Sequence, residues 1–192
     1  DHGTIAIADS LKFNKTITKL NLRDNHIEDK GAIAIASLLK NNTYLEKLNI
    51  RENKIRPLGA KIIAHSLLNN SYLRTINLKD NIIRDEGAAA FAETLKLNRH
   101  LEKINLANNN VSDKGATLLA NALRSNSRLK GINLSYNIIG DPGVCALADM
   151  ITVNNTLEVL DISANVFSSK GIESLSKVLK KNQSITSLFV TH

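Results

Sequence analysis

Residues 29–42, DKGAIAIASLLKNN, and residues 45–55, LEKLNIRENKI, carry two different periodicities. In the first, Ala32, Ile35, Ala36 and Leu39 fall at i, i+3, i+4 and i+7, which is the inward stripe of an amphipathic helix. In the second, Leu45, Leu48 and Ile50 are separated by polar residues, as in a short half-buried strand. The strand pattern returns as LRTINLKDNII at 73–83 and LEKINLANNNV at 101–111. The chain therefore repeats one strand–helix unit.

The repeat has a fixed length. Gly3, Gly31, Gly59, Gly87, Gly115, Gly143 and Gly171 are spaced by 28, and these are seven of the nine glycines. Asn14, Asn42, Asn70, Asn98, Asn126, Asn154 and Asn182 keep the same interval, as do Asn25, Asn53, Asn81, Asn109, Asn137 and Asn165. Six complete units occupy 17–184, with a partial unit at 1–16 and another at 185–192, all within one domain. Asp29, Asp85, Asp113, Asp141 and Ser169 stand where each helix should begin, and are read as caps of their own helices. Pro57 replaces the acid in one unit, which predicts a weaker start for that helix. The Asn42 series is expected to end each helix in a left-handed conformation. The lattice glycines fall in the first helical turn, where a side chain should collide with the neighbouring unit.

One strand and one helix cannot bury both apolar faces alone, so the units must stack. Crossovers through helices make the sheet parallel. Strands pair about 4.8 Å apart, whereas packed helices need roughly 8–10 Å. The helical side is thus longer, and the stack bends by roughly 20–25° per unit with the sheet inside. The fold class is an α/β solenoid, a horseshoe arc with a parallel concave sheet and convex helices. Leu11, Ile17, Leu188 and Val190 belong to the incomplete units. The expectation is a fragment of a longer array, with uncapped ends open to end-to-end self-association.

The spacing L-x-x-L-x-L-x-x-N-x-I, followed by G-A-x-x-I-A-x-x-L, resembles the leucine-rich repeat of the ribonuclease-inhibitor-like class. That resemblance implies a structural ladder for Asn25, Asn53, Asn81, Asn109, Asn137 and Asn165. It also implies a non-catalytic protein-interaction scaffold with an intracellular location. The wording of the units is similar to sensor, GTPase-activator and ciliary members. Two alternatives follow from it: regulation of a small GTPase in the manner of the Ran GTPase-activating proteins, or a sensor and autoinhibitory array of a larger receptor.

Residues between the apolar strand positions face the hollow. One column reads Lys19, Lys47, Thr75, Lys103, Gly131, Val159, Ser187, and the next reads Asn21, Asn49, Asn77, Asn105, Asn133, Asp161, Phe189. A third is Arg23, Arg51, Lys79, Ala107, Ser135, Ser163, followed by Asp24, Glu52, Asp80, Asn108, Tyr136, Ala164. Early units are basic at Lys19, Arg23, Lys47, Arg51, Lys79 and Lys103. Late units offer Tyr136, Val159 and Phe189. These nine residues are the candidate partner-binding set, suited to a protein with an acidic part and an apolar part. The neighbours Arg23–Asp24, Arg51–Glu52 and Lys79–Asp80 should neutralise part of the basic columns.

The remaining chemistry argues against other classes. Hydrophobic residues make up 43% and charged residues 22% of 192 residues, the composition of a folded domain. No apolar run is long enough to cross a bilayer, so no membrane insertion is expected. Cys145 is alone, which excludes an intrachain disulfide, and its place beside Val144 suggests an inert thiol. His2, His26, His65, His100 and His192 hold different repeat positions, so no metal site is expected. No phosphate-binding loop or nucleophile motif is present, and no cofactor or catalytic residue is assigned. The formal charge of +7 is spread evenly and aromatics are 4%, which disfavours nucleic acid.

Overall fold

The computed structural model describes residues 1–191; His192 lies outside them. Helices α1 (His2–Leu11), α2 (Asp29–Asn41), α3 (Pro57–Ser66), α4 (Arg84–Leu97), α5 (Asp113–Leu123), α6 (Asp141–Ile151) and α7 (Ser169–Leu179) alternate with strands. The strands are β1 (Lys19–Asn21), β2 (Lys47–Asn49), β3 (Thr75–Asn77), β4 (Lys103–Asn105), β5 (Gly131–Asn133), β6 (Val159–Asp161) and β7 (Ser187–Phe189). All seven form one parallel sheet in chain order. Lys19 pairs with Lys47, Lys47 with Thr75 and Thr75 with Lys103, so each strand pairs with the residue 28 positions on. The core lies between sheet and helices. Leu45, Leu48, Ile50 and Ile55 meet Ala60, Ile63, Ala64 and Leu67, all buried.

The helix starts are tied together across units, which corrects the reading of the aspartates as caps of their own helices. Asp29 is the first residue of α2, and its Oδ1 accepts from the backbone N–H of Arg56 (3.1 Å) and Gly59 (3.0 Å) at the start of α3. Asp1 serves α2, Asp85 serves α5, Asp113 serves α6 and Asp141 serves α7 in the same way. Each carboxylate satisfies N–H groups that the next helix leaves without an internal partner.

Pro57 interrupts this relay, and its effect appears one unit later than expected. Helix α3 is capped by Asp29 and does not suffer. Helix α4 receives no carboxylate. Instead it winds one residue further back, starting at Arg84 while α3 and α5 start at the lattice positions Pro57 and Asp113. The Gly87 N–H donates to the Ile83 carbonyl (3.1 Å). Arg84 takes a left-handed φ of 56°, a conformation that is costly for a residue with a Cβ.

The lattice glycines behave as expected. A Cβ on Gly115 would lie 2.6 Å from Asp85 Oδ1 and 3.2 Å from Ala88 Cβ of the preceding helix. One on Gly3, which has no described unit before it, would meet nothing within 4 Å.

Two asparagine ladders run through the stack. Asn137 Nδ2 donates to the carbonyls of Leu106, Leu134 and Ser135, and its Oδ1 accepts from the N–H of Asn109 and Val111. Asn53, Asn81, Asn109 and Asn165 make comparable sets. Asn25 is exposed and donates to the Arg23 carbonyl. The Asn42 series forms the second ladder, which corrects its assignment to a left-handed helix end. Asn42 has φ −83° and ψ 129°, and Asn98 has φ −68° and ψ 128°. Asn98 Nδ2 reaches back to the Leu67 carbonyl (2.7 Å) and the Asn70 carbonyl (3.3 Å), while its Oδ1 accepts from His100 and Leu101 N–H. Buried backbone groups at each turn are thereby paired.

Candidate functional site

The strand residues between core positions lie on the concave face. Lys19, Lys47 and Lys103 are exposed, and Asn49, Arg51, Lys79 and Val159 are half-buried. Phe189 is exposed at the end of β7, and Arg23 follows β1 on the same exposed face.

The basic residues divide into two groups. Arg23 Nε donates to Glu52 (2.8 Å), rather than pairing with Asp24, and Arg51 donates to the same carboxylate (2.6 Å). Lys79 lies 3.8 Å from Asp80. The hydrogen bond from Arg23, then that from Arg51, holds the Glu52 carboxyl below its ordinary range, and the same bond raises the Arg23 guanidinium. Lys19, Lys47 and Lys103 form no ion pair among the described residues. Three of the six basic candidates thus carry free charge.

The central column adds donors. The Oδ1 atoms of Asn49, Asn77 and Asn105 accept from the N–H two residues on. Their Nδ2 groups make no hydrogen bond among the described residues. Asn133 Nδ2 instead donates to Asp161 Oδ2 (2.9 Å). The early concave face is therefore a row of amide donors beside free ammonium groups, which suits acceptor-rich, negatively charged matter.

A hollow of about 310 Å³ opens in this face. Gly131, in register between Lys103 and Val159, leaves a gap in its column. Thr75, Asn77, Lys103, Asn105, Val159, Asp161 and Phe189 surround the gap. The structure brings Lys103, Val159 and Phe189 together here, whereas Lys19, Arg23, Lys47, Arg51, Lys79 and Tyr136 stand outside it. The recess was not legible in the sequence as a cavity. Its only signal was a glycine off the 28-residue lattice.

Tyr136 stands beyond β5 with φ 56° and is 61% exposed. Every described unit uses a left-handed residue at this position: Asp24, Glu52, Asp80, Asn108, Tyr136 and Ala164 have φ between 50° and 56°. Asp and Asn tolerate that backbone, whereas an aromatic residue pays about 1 kcal/mol or more. Lys79, two residues beyond β3, places its Nζ 5.9 Å from the ring centroid, within cation–π range. Ile138 and Val166, two residues beyond Tyr136 and Ala164 and outside the strand columns, are also exposed.

Other chemistry does not gather. Among the described residues no group of three or more His, Cys, Asp or Glu could hold a metal ion. Cys145 is half-buried, with Sγ 3.2 Å from Ser174 Oγ.

Comparison with known proteins gives a consistent picture. The leucine-rich repeat family model matches residues 13–36, 41–64, 69–92, 97–120, 125–148 and 153–176. The chain has no match among curated proteins. Among solved structures, the leiomodin-1 actin-binding site 2 domain is similar over 93% of this chain and 87% of its own, with TM-score 0.60 and 17% identity. A Caenorhabditis elegans tropomodulin C-terminal domain is similar over 94% and 91%, with TM-score 0.55 and 12% identity. At these identities the likeness concerns the fold.

Proposed function

The chain belongs to the leucine-rich repeat family, and on that premise we propose that it is a protein-binding scaffold whose concave sheet grips its partner. The observation that carries this reading is the recess over Gly131, beside free lysines and unpaired amide donors. A partner segment would place an apolar side chain against Val159 and Phe189 and its carboxylates near Lys103 and Lys47. The scaffold supplies affinity through pre-organisation, because the ladders fix the backbone that carries the strand side chains, so little backbone freedom is lost on binding. Tyr136 supports the reading, since an exposed aromatic held in a strained backbone fits a contact role.

The test fills the recess. Affinity capture with the wild-type chain, Gly131→Leu and Tyr136→Ala should give proteins retained by the first and lost from both variants. Filamentous actin, suggested by the name of one similar structure, serves as a defined probe in co-sedimentation. Equal recovery by all three chains would remove the concave site.

A further inference from the structure

Parallel stacking has a consequence for charge. All seven helices run in the same direction, so every helix C-terminus opens onto one edge of the arc and every N-terminus onto the other. The seven five-residue helix-exit segments, 12–16 and its repeats at intervals of 28 through 180–184, hold nine Lys or Arg and no Asp or Glu. The six strand-exit segments, 24–29 and its repeats through 164–169, hold eight acids and three bases. The molecule is therefore polarised across its width, although charge is even along its length.

Helix dipoles account for part of this. Each C-terminus carries roughly half a negative charge, about −3.5 for seven helices, so nine cations leave the exit edge positive. Six of them, Lys15, Lys40, Lys96, Arg99, Lys180 and Lys181, are exposed and unpaired among the described residues. Dipoles do not account for the apolar tips between them. Phe13 is 80% exposed, Leu97 is 70% exposed, and Leu68 and Val153 also project. Two recesses on this edge, of about 100 and 230 Å³, each set two lysines at their mouths: Lys12 and Lys15 in one, Lys177 and Lys181 in the other.

We propose that the helix-exit edge docks on an anionic phospholipid bilayer, its lysines on the headgroups and Phe13 and Leu97 at the acyl boundary. In-register strands keep the loops on one side, where Phe13, Leu68, Leu97 and Val153 are exposed along one edge. A headgroup layer accepts both cations and aliphatic tips. A phosphodiester backbone gives Leu68, Leu97 and Val153 nothing to bury against, so the observations favour lipid over nucleic acid. The contact is peripheral, since among the described residues no helix is long and apolar enough to cross a membrane.

The chain contains no Trp, so Leu97→Trp supplies a reporter without background. It should co-sediment with vesicles of phosphatidylcholine containing about 30% phosphatidylserine, with blue-shifted emission, and stay in solution with phosphatidylcholine alone. Lys96→Glu/Arg99→Glu should lower partitioning about ten-fold or more, and Phe13→Ser should lower it several-fold. Both substitutions are at exposed positions, and circular dichroism checks the fold. Gly131→Leu should leave vesicle binding unchanged, which separates this edge from the concave face. No sedimentation with phosphatidylserine vesicles at low salt would overturn the proposal. So would binding without a shift in Trp emission, or binding to duplex DNA in place of vesicles.

Discussion

Asn109 Nδ2 donates to the carbonyls of Leu78 and Ala107, and its Oδ1 accepts from Ile83 N–H, all in a buried site. Asn109→Ala leaves those groups unpaired and is expected to cost about 3 kcal/mol in urea denaturation. Asn25→Ala, on an exposed side chain with one bond to the Arg23 carbonyl, should cost under about 1 kcal/mol. Glycine gives a matching contrast: Gly115→Ala must displace Asp85 and Val111, whereas Gly3→Ala meets open space and should stabilise by up to about 1 kcal/mol. Tyr136→Asn should raise stability, because Asn accepts the left-handed backbone more readily, while weakening partner capture. The ladder Asn and the glycine collisions could be read from the sequence because both repeat without a slip. The true partners of Asp29 and Asn42 could not. Their bonds reach about 28 residues along the chain, and local rules of capping see only the nearest turn.

At the scale of a helix, the start of α4 tests the capping relay. Pro57→Asp places a carboxylate where α2, α4, α5 and α6 already have one, and should return Arg84 to a negative φ. Pro57→Ala controls for the loss of the proline ring. The aspartate variant should exceed the alanine variant by about 1 kcal/mol in thermal or urea unfolding. Equal stability would show that Ile83 and Gly87 already satisfy the helix start fully. The expected strand and helix identities were legible because periods of 2 and 3.6 do not overlap in these short segments. The consequence of Pro57 for the next unit was not, because each capping bond joins a carboxylate of one unit to a helix start of the next, 27 or 30 residues on.

For the whole arc, acidity acts on the ties between units. The Asp141 carboxyl is held below its ordinary range, first by the backbone N–H and then by the hydroxyl of Ser168. A carboxylate with a lowered folded pKa binds fewer protons than in the unfolded chain. Its stabilisation is present above the ordinary Asp value and fades as pH falls through the folded value. Stability should decline on acidification below about pH 4, and Asp141→Asn should flatten that decline in urea titrations at several pH values. The architecture was legible in the spacing alone. The concave recess and the polarised edges were not, since both depend on which side chains the stack sets abreast. One further consequence belongs to Pro57. At the junction of α3 and α4 it leaves out a carboxylate tie of the kind that Asp29 supplies between α2 and α3. The joint is held instead by Thr94 Oγ1 of α4, which donates to the Ala64 carbonyl of α3 (2.9 Å), so in Thr94→Val amide hydrogen exchange should quicken first on either side of it.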